Sequence, residues 1–381
     1  MKLFHLSDLH LGIKLNEFSL YDDQKYILDK ILELTEAERP DAVLIAGDVY
    51  DKSVPPAEAV RLFDSFLTRL AALGVPAFVI SGNHDSAERL AFGARLMDAS
   101  GVHIASAYDG STQCYTLHDE YGPVHIYLLP FIKPLNVKRC VSEEEAEQIA
   151  SYHDAVALAV GRMEADPDAR NVLVAHQFVT GAQKCDSEDV SVGGLDNVGA
   201  EAFDGFCYVA LGHIHSPQNL ADGRVRYCGT PLKYSFSECS QTKSVTVAEI
   251  DGEGAVRLRL LELQPMRDLR KVRGTYDEVT LRENYINTNL QDFIHVTLLD
   301  EQDVPNALAK LRVIYPNLLQ LEYDNLRTRG SHTAALAREI EKKSELELFG
   351  EFYRQQNNQP MSEEQRRHMR RLIGRLKGEE A

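Results

Sequence analysis

Short, almost wholly apolar runs alternate with longer amphipathic stretches over the first 275 residues. KLFHL (2–6), AVLIA (42–46), AFVIS (77–81), NVLVA (171–175) and CYVAL (207–211) have the length and continuity of strands buried on both faces. Between the first three runs the period lengthens to that of a helix. Ile27, Ile31 and Leu34 share a stripe within 22–36, and Pro55-Pro56 opens a second helical stretch over 56–73. A third helical stretch is expected over 86–99. Strand, loop and helix in repetition predict a layered α/β arrangement.

Near 265–275 the texture changes. Gln264-Pro265 closes the preceding pattern, and a basic stretch follows with Arg267, Arg270, Lys271 and Arg273, ended by Gly274. A compact β–α–β unit is then legible: a strand at 292–299, a helix at 304–315 and a strand at 317–323. The remaining residues have helical character. Ser344 with Glu347, and Ser362 with Gln365, have the spacing of capping boxes, and Met369, Leu372, Ile373 and Leu376 make one apolar stripe. Such helices either pack back on the body or dock on another protein. The expected divisions are 1–275, 276–335 and 336–381.

Composition sharpens this picture in a few places. With 381 residues, 44% of them hydrophobic, the chain exceeds one ordinary core and can fill two or more. A net charge of −17 argues against holding nucleic acid by a basic surface alone, although carboxylates that bind cations count toward that figure. No apolar run has the ~18–20 residues of a membrane span, and MKLFHLS does not read as a secretory leader, so a cytoplasmic location is expected. The six cysteines include no C-x-x-C pair and are expected to be free thiols.

The candidate chemistry sits at the ends of the apolar runs. The first runs into Asp8 and His10, the second into Asp48 and Asp51, and the third into Asn83, His84 and Asp85. The fourth ends in His176 and the fifth in His213 and His215. Ligand sites of α/β proteins gather at the carboxyl ends of strands, so five such endings converge on one crevice. Glycines precede Asp48, Asn83 and His213, where the backbone must turn sharply or approach a ligand closely. Mixed Asp, Asn and His donors favour Mn²⁺, Fe²⁺ or Zn²⁺ over the all-oxygen shells of Mg²⁺ and Ca²⁺. Seven ligands, Asp8, His10, Asp48, Asn83, His176, His213 and His215, exceed the need of one ion but suit two, about 4 Å apart and bridged by a carboxylate. The other histidines (His5, His103, His118, His125, His153, His295, His332 and His368) lack such context and read as structural or surface residues.

The order DLH, GDVYD, GNHD, VAHQ and GHIH resembles the calcineurin-like metallophosphoesterase superfamily. SDLHLG (7–12), GTPLKYSFSE (229–238), the basic stretch, the small β–α–β unit and ELELFGEFY (345–353) resemble, more narrowly, the SbcD family of bacterial nuclease subunits. The resemblance implies a metallophosphoesterase domain, a DNA-positioning cap and a partner-binding helical tail over the three divisions. It implies that Asp8, His10 and His215 hold one metal and Asn83, His176 and His213 the other, with Asp48 between them. His84 would then be a catalytic histidine rather than a ligand, with Asp85 placed to orient its ring. Many relatives carry a second histidine where GDVYD ends in Asp51, which leaves Asp51 a supporting role here. Also implied are Mn²⁺, double-strand exonuclease and single-strand endonuclease action on DNA, an SbcC-type coiled-coil ATPase partner, and a homodimer within a heterotetramer. The chain has no G-x-x-x-x-G-K-[ST], so any ATP dependence must come from a partner. A small-molecule or cyclic-nucleotide phosphodiesterase is the competing expectation. A protein phosphatase fits less well, because such enzymes usually read GDYVDRG and GNHE.

Overall fold

The computed structural model describes residues 1–105, 107–183, 185–188, 197–325 and 361–377, with 328, 346, 349, 350 and 353 besides. His332 and most of the helix expected over 344–353 lie outside the described residues. The described chain forms two compact units. The larger runs from Met1 to Arg270 and takes in Gln291–Phe293; the smaller takes Lys271–Leu290 and the described residues from Ile294 onward.

Two six-stranded sheets build the larger unit. The first has the order Val256–Glu262, Ser244–Ile250, Lys2–Leu6, Ala42–Ala46, Ala77–Ile80, Val102–Ile104, with the last four parallel and the first two antiparallel. The second has the order Gln218–Leu220, Val225–Tyr227, Tyr208–Gly212, Asn171–His176, Gly122–Leu129, Gln113–Asp119, with four parallel strands inside two antiparallel edges. Strand periodicity then sorts the side chains into layers. Leu3, Ala42, Leu44, Ala46, Phe78 and Ile80 meet Val124, Ile126, Leu128, Val172, Val174 and Ala210 in a buried cluster between the sheets. On the outer face of the second sheet, Leu129, Leu173, Ala175, Val209 and Leu211 pack with Val137, Ile149, Ala155, Val156 and Ala159 of the helical segments.

Phe4, Leu6, Val43, Ile45 and Val79 are buried on the outer face of the first sheet. Helices Tyr21–Glu38 and Ala57–Ala72 are the crossovers between its parallel strands, and crossovers of one hand lie on one face. Their buried stripes are Ile27, Leu28, Ile31 and Leu32, and Leu62, Phe63, Phe66 and Leu67. Leu34, expected on the first stripe, is only half-buried, because the stripe passes through Leu28 and Leu32. The helix expected over 86–99 is broken into Ala87–Leu90 and Ala94–Met97, since Gly93 between them adopts φ +77°.

His5 faces the inter-sheet core. Tyr208 Oη lies 2.8 Å from its Nδ1, and its Nε2 lies 3.2 Å from the Leu211 carbonyl, so the neutral ring is satisfied on both sides. Burial, helped by the charge of Arg226, pushes its pKa down to about 3. The unfolded chain protonates this group near pH 6.5 and the folded chain does not, so its effect is absent above pH 6.5 and grows as pH falls toward 3. A loss of stability of about 3 kcal/mol at pH 4.5 relative to pH 7.5 is expected from this group. Urea melts of wild type and His5→Gln at the two pH values check it: an equal pH sensitivity in both proteins would refute the assignment.

The smaller unit carries its own core of Val279, Ile294, Val296, Leu298, Ala307, Leu311, Tyr315 and Leu318. Strands Phe293–Leu298 and Leu318–Tyr323 are parallel, joined through helix Ala307–Ile314, and Leu269–Gly274 lies on the other side of Phe293–Leu298 in the same sheet. The basic stretch leading into this unit is not a free cationic patch. Arg267 pairs with the buried Asp23, Arg270 with Asp292 at 2.6 Å, and Arg273 with Asp324. Farther on, Glu363–Lys377 is helical, and Ser362 and Gln365 cap its start reciprocally at 2.9 and 3.2 Å. Among the described residues no helix is long and apolar enough to cross a membrane.

Candidate metal centre

Six candidate ligands stand just past strand carboxyl ends and His176 is the last residue of its strand, and the backbone of several is held in unusual conformations. Asp8 (φ 51°), His10 (φ 42°), Asp48 (φ 50°) and His213 (φ 101°) all lie in the left-handed region that side chains other than glycine rarely adopt. Such strain persists only where neighbours over-determine it. Asp8 and His10 donate their backbone N–H groups to the carbonyls of Gly47 and Asp48, both at 3.0 Å, which ties the first ligand loop to the second. The Asp85 carboxylate accepts from the N–H groups of Val49 (3.1 Å), Tyr50 (2.9 Å) and Gly82 (2.9 Å). Buried Gln24 closes the first loop from the helix side, donating to the carbonyls of Leu9 (3.2 Å) and His10 (2.8 Å) and accepting from Gly12 N–H (3.0 Å).

The loops leave no room for side chains at the glycines. A Cβ on Gly82 would sit 2.1 Å from Asp48 Oδ1, and one on Gly47 2.4 Å from His176 Nδ1. These contacts are the close approach that the spacing of glycines and ligands predicts.

The donor atoms crowd together without hydrogens to share. Asp48 Oδ2 is 3.4 Å from His176 Nε2, 3.7 Å from His10 Nε2 and 4.0 Å from His84 Nε2. Asn83 Oδ1 lies 3.0 Å from His176 Nε2 and 2.9 Å from His213 Nδ1. His176 Nδ1 donates to the Ala46 carbonyl (2.8 Å), so in the neutral ring Nε2 carries the lone pair, facing both oxygens. His10 Nε2 and His215 Nε2 are 3.2 Å apart, and His10 Nδ1 is buried with no partner among the described residues. Whichever nitrogen of His10 carries the proton, its Nδ1 is a buried polar atom left unpaired. The groups Asp8–His10–His215, His10–Asp48–His84 and Asp8–Asp48–His176 each bring their donor atoms within 4.8 Å of one another.

Electrostatics follows the same logic. Burial raises the Asp8 pKa to about 7, with the Asp48 charge acting in the same sense. Burial also presses on Asp48, but the imidazoles of His176, His10 and His84 outweigh it and hold that carboxyl well below the usual range. Burial lowers His10 to about 4 and His215 to about 3. At His176 burial is overcome by Asp48 and Asp8, and the pKa rises to about 9. Two carboxylates beside several lone pairs are thus poised for divalent cations, and the donor set fits two of them.

His84 occupies the open rim, 28% exposed, its ring 4.9 Å edge-to-face from that of His10. Its Nδ1 lies 3.0 Å from the main-chain carbonyl of Asp51. The Asp85 carboxylate, expected to orient this ring, accepts from three backbone amides, and the Asp51 carbonyl meets the ring at Nδ1. Sequence reasoning passes over Gln24, Phe131 (stacked on His213 at 6.5 Å) and the group Ser187, Glu188, Glu238 and Lys243 around His215. Glu238 closes the GTPLKYSFSE stretch, but nothing local marks it as a partner of a histidine.

Comparison with known proteins adds to this geometry. The calcineurin-like phosphoesterase profile matches residues 1–217, and the Type 5 capsule protein repressor C-terminal domain profile matches residues 265–357. The SbcD component of the SbcCD nuclease of Staphylococcus epidermidis is 31% identical over 382 residues, covering 98% of each chain. Among solved structures, a dimetal phosphatase from Danio rerio is 14% identical, covering 69% of this chain and 99% of that one at a TM-score of 0.40. A phosphoesterase from E. coli is likewise 14% identical, over 69% of this chain and all of that one, at a TM-score of 0.28.

Proposed function

Because the chain belongs to the calcineurin-like phosphoesterases and, within them, to the SbcD type of nuclease subunit, we propose that it is a two-metal DNA nuclease working beside an SbcC-type ATPase. The observation that carries the chemistry is the convergence of donors from five strand ends: Asp8, His10, Asp48, His176 and His215 within a few ångströms of one another, with Asn83 Oδ1 against His176 and His213. Likeness over nearly the whole chain to a nuclease component narrows the ester to DNA.

In this reading Asp8, His10 and His215 would hold one ion and Asn83, His176 and His213 the other, with the Asp48 carboxylate available to both. The ions are Mn²⁺, for which mixed nitrogen and oxygen donors are suited. When bound, such a pair lowers the pKa of a water and neutralises charge on the phosphate. The protein's own part is positional. His84, with Nδ1 turned to the Asp51 carbonyl, presents Nε2 at the rim, where it can hydrogen-bond a phosphoryl oxygen or pass a proton to the leaving oxygen. The tight second loop, held by Asp85, keeps Asp48 and His84 in register, because the Asp48 carboxylate accepts from His84 N–H at 2.9 Å.

The 276–335 region serves as the DNA-positioning cap, and the 336–381 region as the ATPase-binding tail. Phe92, in the turn between the two short helices after the third ligand loop, and Leu96, on the second of them, are 85% and 83% exposed and favour a homodimer contact there, within a heterotetramer. The complex acts in the cytoplasm as a double-strand exonuclease and single-strand endonuclease. One set of assays tests all of this: Mn²⁺ with linear duplex DNA, circular single strands and bis-p-nitrophenyl phosphate, with and without the ATPase. Degradation of both DNAs is expected, and truncation after Arg338 is expected to spare nicking but abolish ATPase capture. Turnover of the small ester alone in every condition would sink the nuclease reading.

A further inference from the structure

His215 is held by a closed ring of hydrogen bonds that begins and ends on itself. Its Nδ1 meets Ser187 Oγ at 2.8 Å. That hydroxyl donates to Glu238 Oε1 at 2.7 Å, so it must accept from His215 Nδ1–H. The other carboxylate oxygen, Glu238 Oε2, takes Lys243 Nζ at 2.5 Å, and Lys243 Nζ also donates to the His215 carbonyl at 2.9 Å. Glu238 and Lys243 are both almost wholly buried. A buried ion pair is expensive to desolvate, and on its own it is weak evidence for stability. Here both its ends return to one residue, Glu238 to the His215 imidazole through Ser187 and Lys243 to the His215 main-chain carbonyl. The histidines His176 and His84 turn Nδ1 toward main-chain carbonyls instead, which carry no net charge.

We propose that Ser187, Glu238 and Lys243 are positioning residues for the metal centre. The ring allows His215 only the Nδ1–H tautomer, leaving Nε2 bare toward the cation shared with Asp8 and His10. A ligand's outer hydrogen-bond partner fixes its tautomer and raises its basicity, and its loss typically costs about 10–100-fold in metal affinity. The proposal rests on the reading of His215 as a ligand.

The direction of each hydrogen bond makes a sharp test. In Glu238→Gln, the ammonium of Lys243 keeps the amide oxygen, so the amide NH₂ faces Ser187. The hydroxyl must then accept from the amide and donate to His215 Nδ1, and the ring proton moves to Nε2, where it blocks the cation. Calorimetric titration of the metal-stripped full chain with Mn²⁺ is expected to show one of two sites weakened about 10–100-fold in Glu238→Gln. A smaller loss is expected in Ser187→Ala, and recovery in Ser187→Thr. Nitrogen-15 spectra of histidine-labelled, metal-free protein are expected to show His215 switch from the Nδ1–H to the Nε2–H form in Glu238→Gln.

Wild-type Mn²⁺ affinity in both Ser187→Ala and Glu238→Gln, with His215 keeping its tautomer, would overturn the proposal. If circular dichroism shows Glu238→Gln unfolded, Ser187→Ala decides alone, since it removes a single hydroxyl, and wild-type affinity in it overturns the ring. A wild-type chain that binds no Mn²⁺ would instead refute the ligand reading, and the tautomer measurement would still judge the ring.

Discussion

His84→Ala is expected to lose phosphodiester hydrolysis by about 10²–10⁴-fold, the range of a general acid–base group, while binding Mn²⁺ within a few-fold of wild type. The reasoning is geometric. His84 Nε2 is the outermost of the imidazole nitrogens around Asp48, at 4.0 Å from Oδ2, against 3.4 Å for His176 and 3.7 Å for His10. Its ring reaches the rim, whereas the rings of His10, His176 and His215 are buried. Removing it leaves both proposed ligand triads and the bridge intact, and the backbone N–H that binds Asp48 is retained in alanine. Because His10, Asp48 and His84 also bring donor atoms close together, an alternative outcome is well defined. Parallel loss of metal and activity in His84→Ala would make His84 a ligand and refute its placement at the rim. Steady-state hydrolysis of bis-p-nitrophenyl phosphate beside a Mn²⁺ titration separates the two.

Gly212→Ala is expected to be among the most damaging single substitutions in the chain. Its Cβ would lie 1.9 Å from the Ala46 carbonyl oxygen and 2.7 Å from His176 Nδ1. Ala46 belongs to the first sheet and Gly212 to the second, so the clash falls between the two sheets. The carbonyl in the way is main chain, and it is also the acceptor that sets the His176 tautomer at 2.8 Å. Relief requires the sheets to part, which both opens the core and turns His176 away from Asp48. A loss of more than about 3 kcal/mol follows, at the upper end of overpacking effects. For a domain of this size that lowers the melting temperature by about 10 °C. Gly161→Ala is the matched control: nothing lies within 4 Å of the added Cβ, and little change is expected. Equal melting temperatures for Gly212→Ala and Gly161→Ala would show that the sheets do not meet as described.

Much of the fold is legible because buried strands of a parallel sheet carry their own signature. KLFHL and AVLIA coincide with the strands Lys2–Leu6 and Ala42–Ala46, since a central strand buried on both faces is apolar at most positions. The same criterion passes over Gln113–Asp119 and Val256–Glu262. These are edge strands whose residues alternate between half-buried and exposed, so they form no apolar run. The helix expected over 86–99 reads as continuous because a helical period survives one glycine, but Gly93 turns the chain left-handed and divides it. The basic stretch shows in the sequence only as a run of cations, and the carboxylates distant in sequence that pair with Arg267, Arg270 and Arg273 do not.

The sequence by itself determined the five strand ends and the residue types standing on them. A run of apolar residues dictates a buried strand, parallel strands share one carboxyl edge, and the polar groups just past that edge must converge. The glycine before each of the second, third and fifth groups follows from the same requirement for close approach. The tertiary structure alone decided how those ligands are oriented. Asp85 gathers amides from two loops, Asp51 turns a carbonyl to His84, Gln24 ties down the first loop, and Ser187, Glu238 and Lys243 close around His215. Most of these partners come from separate segments of the chain, and a hydrogen bond between distant segments leaves no periodicity or spacing in either. What stands at the metal centre is therefore written locally, and what aims it is not.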